Sequence, residues 1–404
     1  MEKMIELERA QELTLAHVIP TVTEVVPLAK AYQRIIAKPV HSLISMPPFD
    51  RSPLDGFAYR ANTLDSVPLT LKIISEIPAG SYSDREIGLG ECAKIFTGAP
   101  VPPGANCVVR FEDTELVEDT VIIKRTVLPG TNVVRKGEEI QAGDEIFPSG
   151  TVLTPPAVGL LAAVGVKEVT VYQRPKVGLL STGSELLDAG EPLGPGKIYN
   201  SNTYTLRGLL ELAGYEVKVL PLVKDDLADT IKALQTLEDT DLIIATGGAS
   251  VGDYDFMPEA MKNHGCNLLF WKVNIKPGTP VAVGVKEGKL YFSLSGNPAA
   301  AMMTFELLVR PALRKLAGYT SFLPKELPVK VKGEFPKGGT QRRFLRAKAI
   351  FKESEVWAEP TAHQSSGILR SMVGSNLLID IPKSHGPVRQ GEIFRGILIN
   401  WEED

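Results

Sequence analysis

The chain has 404 residues with a net charge of −4 at pH 7, and 44% of its residues are hydrophobic. This length exceeds one ordinary hydrophobic core and predicts two or more domains, while the apolar content excludes a largely disordered chain. The weakly acidic balance argues against a bulk nucleic-acid binder, so no nucleic-acid partner is expected.

The cysteines and the N-terminus predict a cytoplasmic protein. Cys92, Cys107 and Cys266 are scattered, and no CxxC pair or zinc-type spacing occurs. Disulfides are therefore not expected, which favours a reducing compartment. Residues 1–10 are charged and have no apolar signal-peptide core, and the apolar stretch 154–166 is too short to span a bilayer.

In chain order, a helical segment precedes a small β domain. Residues 7–38 are predicted to be helical, with breaks at Pro20 and Pro27. Glycine (36) and proline (30) are plentiful, which favours turns and short strands. Predicted strands then alternate with turn residues, followed by one further helix. The predicted strands span residues 69–74, 92–96, 107–111 and 121–125, and the helix spans 156–164.

The pattern changes at residue 176, where strands and helices alternate. The predicted strands are 176–180, 216–220, 241–246 and 291–294, and the predicted helices are 201–213, 226–236, 256–263 and 298–316. This alternation predicts a parallel sheet with helices on both faces, and ligands bind such sheets beyond the carboxyl ends of the strands. Short β runs in residues 328–400 predict a small barrel or sandwich after a linker at 319–327.

Two glycine turns follow predicted strands, about fifty residues apart. One begins at Thr246-Gly247-Gly248, and the other is Ser295-Gly296-Asn297-Pro298, which opens a predicted helix. Glycine lets backbone N–H groups approach a ligand closely, and proline at a helix start leaves the neighbouring N–H groups available. Both turns therefore predict binding of a phosphate-bearing anion.

Charged residues near these turns have two interpretations each. Asp253 and Asp255 suit Mg²⁺, which prefers carboxylates together with phosphate oxygens, but Asp255 is also placed to cap the next helix. Lys272 and Lys276 suit an anion, but lysines are commonly solvated surface charges.

A further turn, STGSEL at residues 181–186, has the same ambiguity. Thr182 and Gly183 could cup a phosphate while Glu185 binds a metal or a polar ring, or the segment could be an ordinary turn between a strand and a helix. No GxSxG elbow and no supported thiol nucleophile occur, so the chemistry is expected to use carboxylates, lysines and metal.

Ordered motifs along nearly the whole chain resemble one family. They are PPFDRSPLDGFA at 47–58, FTGAPVPPGA at 96–105, VRKGEEIQAGDEIFPSGTVLTP at 134–155, STGSEL at 181–186, IYNSN at 198–202, TGGASVGDYDF at 246–256, WKVNIKPG at 271–278, LSGNPAAAM at 294–302, RRFLRA at 342–347 and HQSSGILRSM at 363–372. In this order they resemble the molybdopterin molybdenumtransferase family, which includes MoeA and the E domain of gephyrin.

The resemblance implies a multidomain fold that combines α/β and β domains. Residues 1–45 and 146–175 would form a mixed linker and dimerisation domain, and 46–145 a β-rich insert. Residues 176–325 would form the molybdopterin-binding α/β domain and 326–404 a small C-terminal β barrel. It also implies a homodimer, with a cleft between the α/β and barrel domains of one subunit and the insert of its partner.

The implied reaction inserts molybdate into adenylylated molybdopterin, with Mg²⁺ or a similar divalent cation, and releases AMP and molybdenum cofactor. The resemblance and the turns together give a set of candidate site residues. Candidate catalytic residues are Asp55, Thr97, Glu139, Glu185, Lys272 and Lys276; candidate substrate-binding residues are Thr182, Gly183, Gly247, Gly248, Ser250, Ser295, Gly296, Asn297, Pro298, Arg346 and Ser366; candidate metal ligands are Asp225 and Asp255.

The chain departs from the family pattern at two positions. Glu139 stands where the family often has aspartate, and Thr279 stands where it often has lysine. The second departure removes a positive charge beside the expected anion site, which bears on substrate affinity and on the choice between molybdate and tungstate.

Two other functions are compatible with parts of the chain. The α/β domain would also suit an adenylyltransferase that activates molybdopterin with ATP, but the additional domains and the 47–58 motif favour insertion. A gephyrin-like, non-catalytic scaffold is the other alternative. The acidic residues Asp55, Asp225 and Asp255 argue against it.

Overall fold

The computed structural model describes residues 1–63, 65–248 and 256–399. Within these ranges, no helix is both long and apolar enough to cross a membrane.

The described part of residues 1–175 forms eleven short strands and two α-helices. The strands are β1 (Glu2–Ile5), β2 (Thr23–Pro27), β3 (Val40–His41), β4 (Gly56–Tyr59), β5 (Leu69–Ile77), β6 (Glu91–Ile95), β7 (Cys107–Arg110), β8 (Thr114–Val117), β9 (Thr120–Ile123), β10 (Glu145–Phe147) and β11 (Glu168–Tyr172), and the helices are α1 (Leu7–Ala16) and α2 (Pro155–Ala163). The insert is one sheet in the order β7-β4-β6-β5-β9-β8, which confirms the predicted β-rich region.

The prediction of helix throughout residues 7–38 is wrong beyond Ala16. β2 instead pairs antiparallel with β11, from Thr23 opposite Tyr172 to Pro27 opposite Glu168. Consecutive β-branched residues explain the strand, because they fit a half-buried pleated surface better than a helix.

The central part alternates strands and helices, as the sequence predicts. The strands are β12 (Lys176–Ser181), β13 (Leu186–Leu187), β14 (Ile198–Tyr199), β15 (Glu216–Val219), β16 (Leu242–Thr246), β17 (Asn267–Val273), β18 (Ile275–Lys276), β19 (Ala282–Lys286) and β20 (Lys289–Leu294). The helices are α3 (Ser201–Leu212), α4 (Leu227–Thr236), α5 (Met257–Asn263), α6 (Pro298–Thr304) and α7 (Arg310–Leu316), and a π-helical turn, Phe305–Val309, joins α6 to α7.

The central sheet has the order β1-β17-β19-β20-β16-β12-β15. Strands β15, β12, β16 and β20 are parallel, while β19 is antiparallel to both of its neighbours. Buried residues on one face contact α3, α6 and α7, and those on the other contact α4 and α5. Helices therefore cover both faces, and the carboxyl ends of β12, β16 and β20 lie side by side.

The C-terminal strands close into a barrel rather than an open sandwich. They are β21 (Glu326–Val331), β22 (Arg342–Lys352), β23 (Glu355–Pro360), β24 (Leu377–Ile381) and β25 (Ile393–Leu398). β22 pairs with both β23 and β24, which closes the ring, and β18 from the central part adds to β22 in parallel. This pairing connects the barrel directly to the segment that carries Lys276.

A second contact of the barrel is made with the N-terminal helix α1, through a cluster of charged side chains. Asp380 is 6% exposed and accepts two hydrogen bonds from Arg342, at 2.7 Å each, and further bonds from Arg395. The third guanidinium nitrogen of Arg342 donates to Glu8 of α1 at 2.6 Å. The buried carboxylate therefore pairs with two arginines, one of which also holds α1.

We expect Asp380→Asn to destabilise the barrel. The amide keeps the size of the side chain but leaves two arginines without their buried counter-charge, which should cost about 3 kcal/mol of unfolding free energy. Amide hydrogen exchange of β24 across a urea series measures this loss. The control is Asp119→Asn in the exposed turn between β8 and β9, and equal stability of the two variants would contradict the account.

Candidate functional site

The carboxyl ends of β12 and β16 are locked together by a glycine turn. The backbone N–H of Thr182 donates to the Thr246 carbonyl at 2.8 Å. Gly247 follows with φ +91°, and a Cβ there would lie 2.1 Å from the Thr182 carbonyl oxygen. Only glycine permits this approach. Gly248 also has positive φ, so the backbone turns sharply just beyond the sheet.

A chain of buried hydroxyls supports these strand ends. Ser181 Oγ lies 2.8 Å from both Thr203 Oγ1 and Thr246 Oγ1. Asn200 caps α3 by accepting the Thr203 backbone N–H at 3.2 Å. The 198–202 motif therefore fixes the start of α3 against the ends of the two strands.

The second glycine turn meets the first. Ser295 is 5% exposed, and its Oγ accepts the Asn297 backbone N–H at 3.2 Å. Asn202 donates to the Gly296 carbonyl at 2.9 Å. A Cβ on Gly296 would lie 3.7 Å from Gly247 Cα, so the two turns, although distant in sequence, are adjacent at the same edge of the sheet. Pro298 is the first residue of α6, as its position in the motif predicts.

A cavity of about 1020 Å³ lies between this edge and the barrel. Four of the predicted residues line it, and they come from three separated segments: Lys276, Ser295 with Asn297, and Ser366. Its size is in the range of small-molecule and cofactor sites. The barrel wall is joined to α6 directly, because the Ala299 backbone N–H donates to the Ser366 carbonyl at 3.1 Å.

Arg346 lies inside the barrel wall rather than on the cavity surface. It is fully buried, and its Nη2 donates to the carbonyls of His363 and Ser365 at 3.2 and 3.0 Å, while Nε donates to Ser371 at 3.1 Å. Burial lowers the pKa of Arg346 to about 10. Arg346 therefore holds the loop that presents Ser366, and its contact with substrate stays a prediction.

The structure separates the two predicted lysines. Lys276 is exposed at the end of β18 and lines the cavity. Lys272 has φ +69°, and its ammonium lies 4.4 Å from the centre of the Trp271 ring. It is not among the residues that line the cavity. Lys272 makes a cation–π contact with the Trp271 ring, so of the two lysines only Lys276 lines the cavity.

Two predicted acidic residues lie at the 181–186 turn, Glu185 within it and Asp225 bonded to it. Asp225 is half-buried and accepts the Ser184 backbone N–H at 2.8 Å, and its own N–H donates to Ser184 Oγ at 3.3 Å. Glu185 is exposed, and its Oε2 lies 2.8 Å from the position of a Cβ on Gly183. No group of three or more potential metal ligands converges among the described residues. Asp255, the second predicted ligand, and Ser250 lie outside the described residues.

The insert holds a separate carboxylate–threonine pair. Asp55 Oδ1 accepts both the backbone N–H and the hydroxyl of Thr97, at 2.7 Å each. These bonds stabilise the carboxylate and lower the pKa of Asp55. Glu139 is exposed beside Met46, to whose carbonyl its backbone N–H donates at 3.1 Å. Asp55, Thr97 and Glu139 do not line the cavity of the same chain.

Among the described residues, sequence reasoning missed three cationic cavity residues, Lys332, Lys337 and Arg343, of which Arg343 is the buried one. It is 7% exposed and lines the cavity near Lys337 and Gln341. Burial lowers the pKa of its guanidinium. A signal was available: Arg343 shares the strand alternation of Leu345, Ala347 and the inner barrel face, where a charge is unusual.

Comparisons with known proteins cover almost the whole chain. Residues 5–165 match the family described as MoeA N-terminal region (domain I and II), residues 178–315 match "Probable molybdopterin binding domain", and residues 328–399 match MoeA C-terminal region (domain IV). The molybdopterin molybdenumtransferase of Staphylococcus aureus is 37% identical over 385 residues, which are 94% of this chain and 91% of that protein. The molybdopterin molybdenumtransferase of Staphylococcus epidermidis is 34% identical over 92% of this chain and 90% of its own length.

A solved structure agrees over the full length. The molybdopterin biosynthesis MoeA protein from Pyrococcus horikoshii superposes with a TM-score of 0.85 at 30% identity, covering 99% of this chain and all of that one. The similarity therefore includes the arrangement of the α/β sheet, the insert and the barrel.

We expect Thr97→Ala to raise the pKa of Asp55 toward its ordinary value, but only in part, because the backbone N–H of residue 97 still donates. An NMR titration of side-chain carboxyl carbons measures this. Asp113, whose pKa is lowered by its hydrogen bond from Arg110, is the internal control and should not move.

The hydrogen bonds from Thr97 to Asp55 also make the free energy of unfolding depend on pH. A depressed folded-state pKa contributes stability above the unfolded pKa of about 4, and this is lost as pH falls through the folded value. The stability difference between wild type and Thr97→Ala should therefore be present at neutral pH and shrink in acid. A difference that grows as the solution is acidified would contradict the assignment.

Proposed function

The chain belongs to the MoeA family of molybdopterin molybdenumtransferases, and on this premise we propose that it inserts molybdate into adenylylated molybdopterin, releasing AMP and molybdenum cofactor. The molybdenumtransferase relatives match it across all three regions, which favours insertion over adenylylation by the α/β domain alone.

The observation that carries the proposal is the cavity where the turn at residues 295–298, β18 and the barrel loop meet. The Gly247 turn lies next to the 295–298 turn at the same edge of the sheet. The lining of the cavity favours anions. The charged lining residues are Lys276, Lys332, Lys337 and Arg343, against Glu334 and Glu359, so four cations less two anions leave an excess of two positive charges with His363 neutral. A substrate that carries phosphates, together with an oxyanion, suits such a lining.

Each group has a defined part in the reaction. Lys276 attracts and orients the anionic substrate, and the glycine turns offer backbone N–H groups to its phosphates. Ser295, Asn297 and Ser366 provide polar contacts that fix its position in the cavity. Enclosure between the sheet edge and the barrel reduces contact with water, which strengthens these interactions.

We further propose Mg²⁺, or a similar cation, held by Asp225 and Asp255. The Asp225 carboxylate accepts one hydrogen bond from the Ser184 backbone N–H, and its remaining lone pairs are available to a cation. A set of one or two carboxylates fits Mg²⁺, which completes its shell with water and substrate phosphates. When bound, the cation would withdraw charge from the phosphates and stabilise the departing AMP.

A homodimer with shared sites accounts for the position of the insert. Asp55, Thr97 and Glu139 do not line the cavity of their own chain, so we propose that the partner's insert completes it. The four-domain division is retained with one revision. Residues 1–16 join the α/β unit, because β1 pairs with β17 and α1 contacts α7.

We place this reaction in the cytoplasm. Support comes from Cys92, Cys107 and Cys266, which are all free and buried. Burial raises the pKa of the Cys266 thiol to about 12, which keeps it protonated and unreactive.

Purified chain, adenylylated molybdopterin, Mg²⁺ and molybdate should together release AMP and incorporate molybdenum, and omission of Mg²⁺ should abolish release. Parallel reactions with tungstate give the oxyanion preference. Lys276→Gln should lower turnover on the order of 10²-fold, because it removes a cation from the anion site. Lys352→Gln, at the far exposed end of β22, is the matched control. Equal activity of the two variants would exclude Lys276 from the site.

Subunit mixing tests the shared site. Asp55→Asn carries its lesion in the insert, and Lys276→Gln carries its lesion in the cavity. Each homodimer should be weakly active, whereas a mixed dimer contains one site with neither lesion. Co-refolded mixtures should therefore recover activity above either parent. Light scattering establishes the dimer, and mixed dimers that show only the average of the parental activities would place the complete site within one chain.

A further inference from the structure

Two adjacent arginines of β22 have opposite environments. Arg342 uses its Nε and Nη2 to bind both oxygens of Asp380, at 2.7 Å each. The same Nε–Nη2 edge of Arg343 has no hydrogen-bond partner among the described residues, although each atom exposes less than 1 Å². Only Nη1 of Arg343 is engaged, by donation to the Lys337 carbonyl.

This arrangement is energetically costly without a ligand. A buried cation is unfavourable unless it is paired and hydrogen-bonded. The guanidinium lies over the Phe335 ring, 5.4 Å from its centre, which compensates one face of the group but not its edge. No carboxylate pairs with Arg343 among the described residues, in contrast to Arg342.

The residue that carries the unpaired edge lies in the wall of a cavity. Arg343 lines the same cavity as Lys276. Gly339 lies against the edge, and a Cβ at that position would be 3.5 Å from Nε. Because glycine has no side chain, the loop covers the guanidinium edge on that side with backbone alone.

We propose that the Nε–Nη2 edge of Arg343 binds a tetrahedral oxyanion at the barrel side of the cavity. This inference rests on the proposed function and deepens it by assigning an anion subsite. The planar edge presents two parallel N–H donors, which match two oxygens of a tetrahedral anion as they match a carboxylate. Lys276 and Lys337, which line the same cavity, add positive charge.

Two anions in the reaction have this chemistry: free molybdate and the phosphate of the molybdopterin substrate. Isothermal titration with sodium molybdate and, separately, with inorganic phosphate distinguishes them. Arg343→Gln should weaken binding of the relevant ion by about 10- to 100-fold, as expected for hydrogen bonds to a charged group. Arg389→Gln is the control, because it removes an exposed arginine of the same barrel that does not line the cavity.

The pattern of weakened binding identifies which anion Arg343 binds. Weaker binding of molybdate alone identifies the oxyanion substrate, weaker binding of phosphate alone identifies the substrate's phosphate, and weaker binding of both identifies a shared site. Unchanged affinity for both ions in folded Arg343→Gln overturns the proposal, as does the absence of saturable wild-type binding at millimolar concentrations.

Thermal unfolding separates ligand binding from a structural role. Removal of an unpaired buried charge should leave the melting temperature unchanged or higher, whereas a lower melting temperature with intact affinity overturns the proposal. If Arg343→Gln does not fold, Arg343→Lys decides: it keeps the charge but lacks the two-donor edge, so unchanged affinity overturns the assignment. Wild type that binds the ion without releasing AMP would refute the proposed reaction and leave the subsite standing.

Discussion

The approach of Gly247 to the Thr182 carbonyl is the constraint on which the site depends. It fixes the ends of β12 and β16 so closely that any side chain at residue 247 would collide with the neighbouring backbone. The second turn lies against this edge, where the Gly296 carbonyl accepts a hydrogen bond from Asn202. Two glycine turns are thereby brought to one place, at the edge where parallel sheets bind their ligands.

The barrel converts this edge into a cavity, and its charges divide into two sets. Arg342, on the side facing α1, is neutralised by Asp380 and Glu8, and this cluster holds the barrel in place. Arg343 and Lys276 face the cavity. Strand alternation creates the division, because successive side chains of β22 point to opposite sides. The same strand therefore supplies both the contact that stabilises the interface and a charge in the cavity wall.

The local sequence pattern predicted the parallel strands and the glycine turns. The other features of the site depend on tertiary contacts. The parallel sheet was predicted because β16 is apolar on both faces. The turn was predicted because Gly247 and Gly248 directly follow β16. The short edge strand β1 was missed, since its pairing with β17 has no local signal. Lys272 and Arg346 were placed by motif, but their surroundings depend on Trp271 and on barrel closure, which no sequence window contains.

The central claim is that the cavity between the sheet edge and the barrel binds the anionic substrate. A crystal of the full chain soaked in molybdate, with data collected at the molybdenum absorption edge, locates the metal directly. The account predicts an anomalous peak inside the cavity, within hydrogen-bonding reach of Lys276 or Arg343. A fully occupied molybdate elsewhere, with the cavity empty at the same concentration, would contradict it.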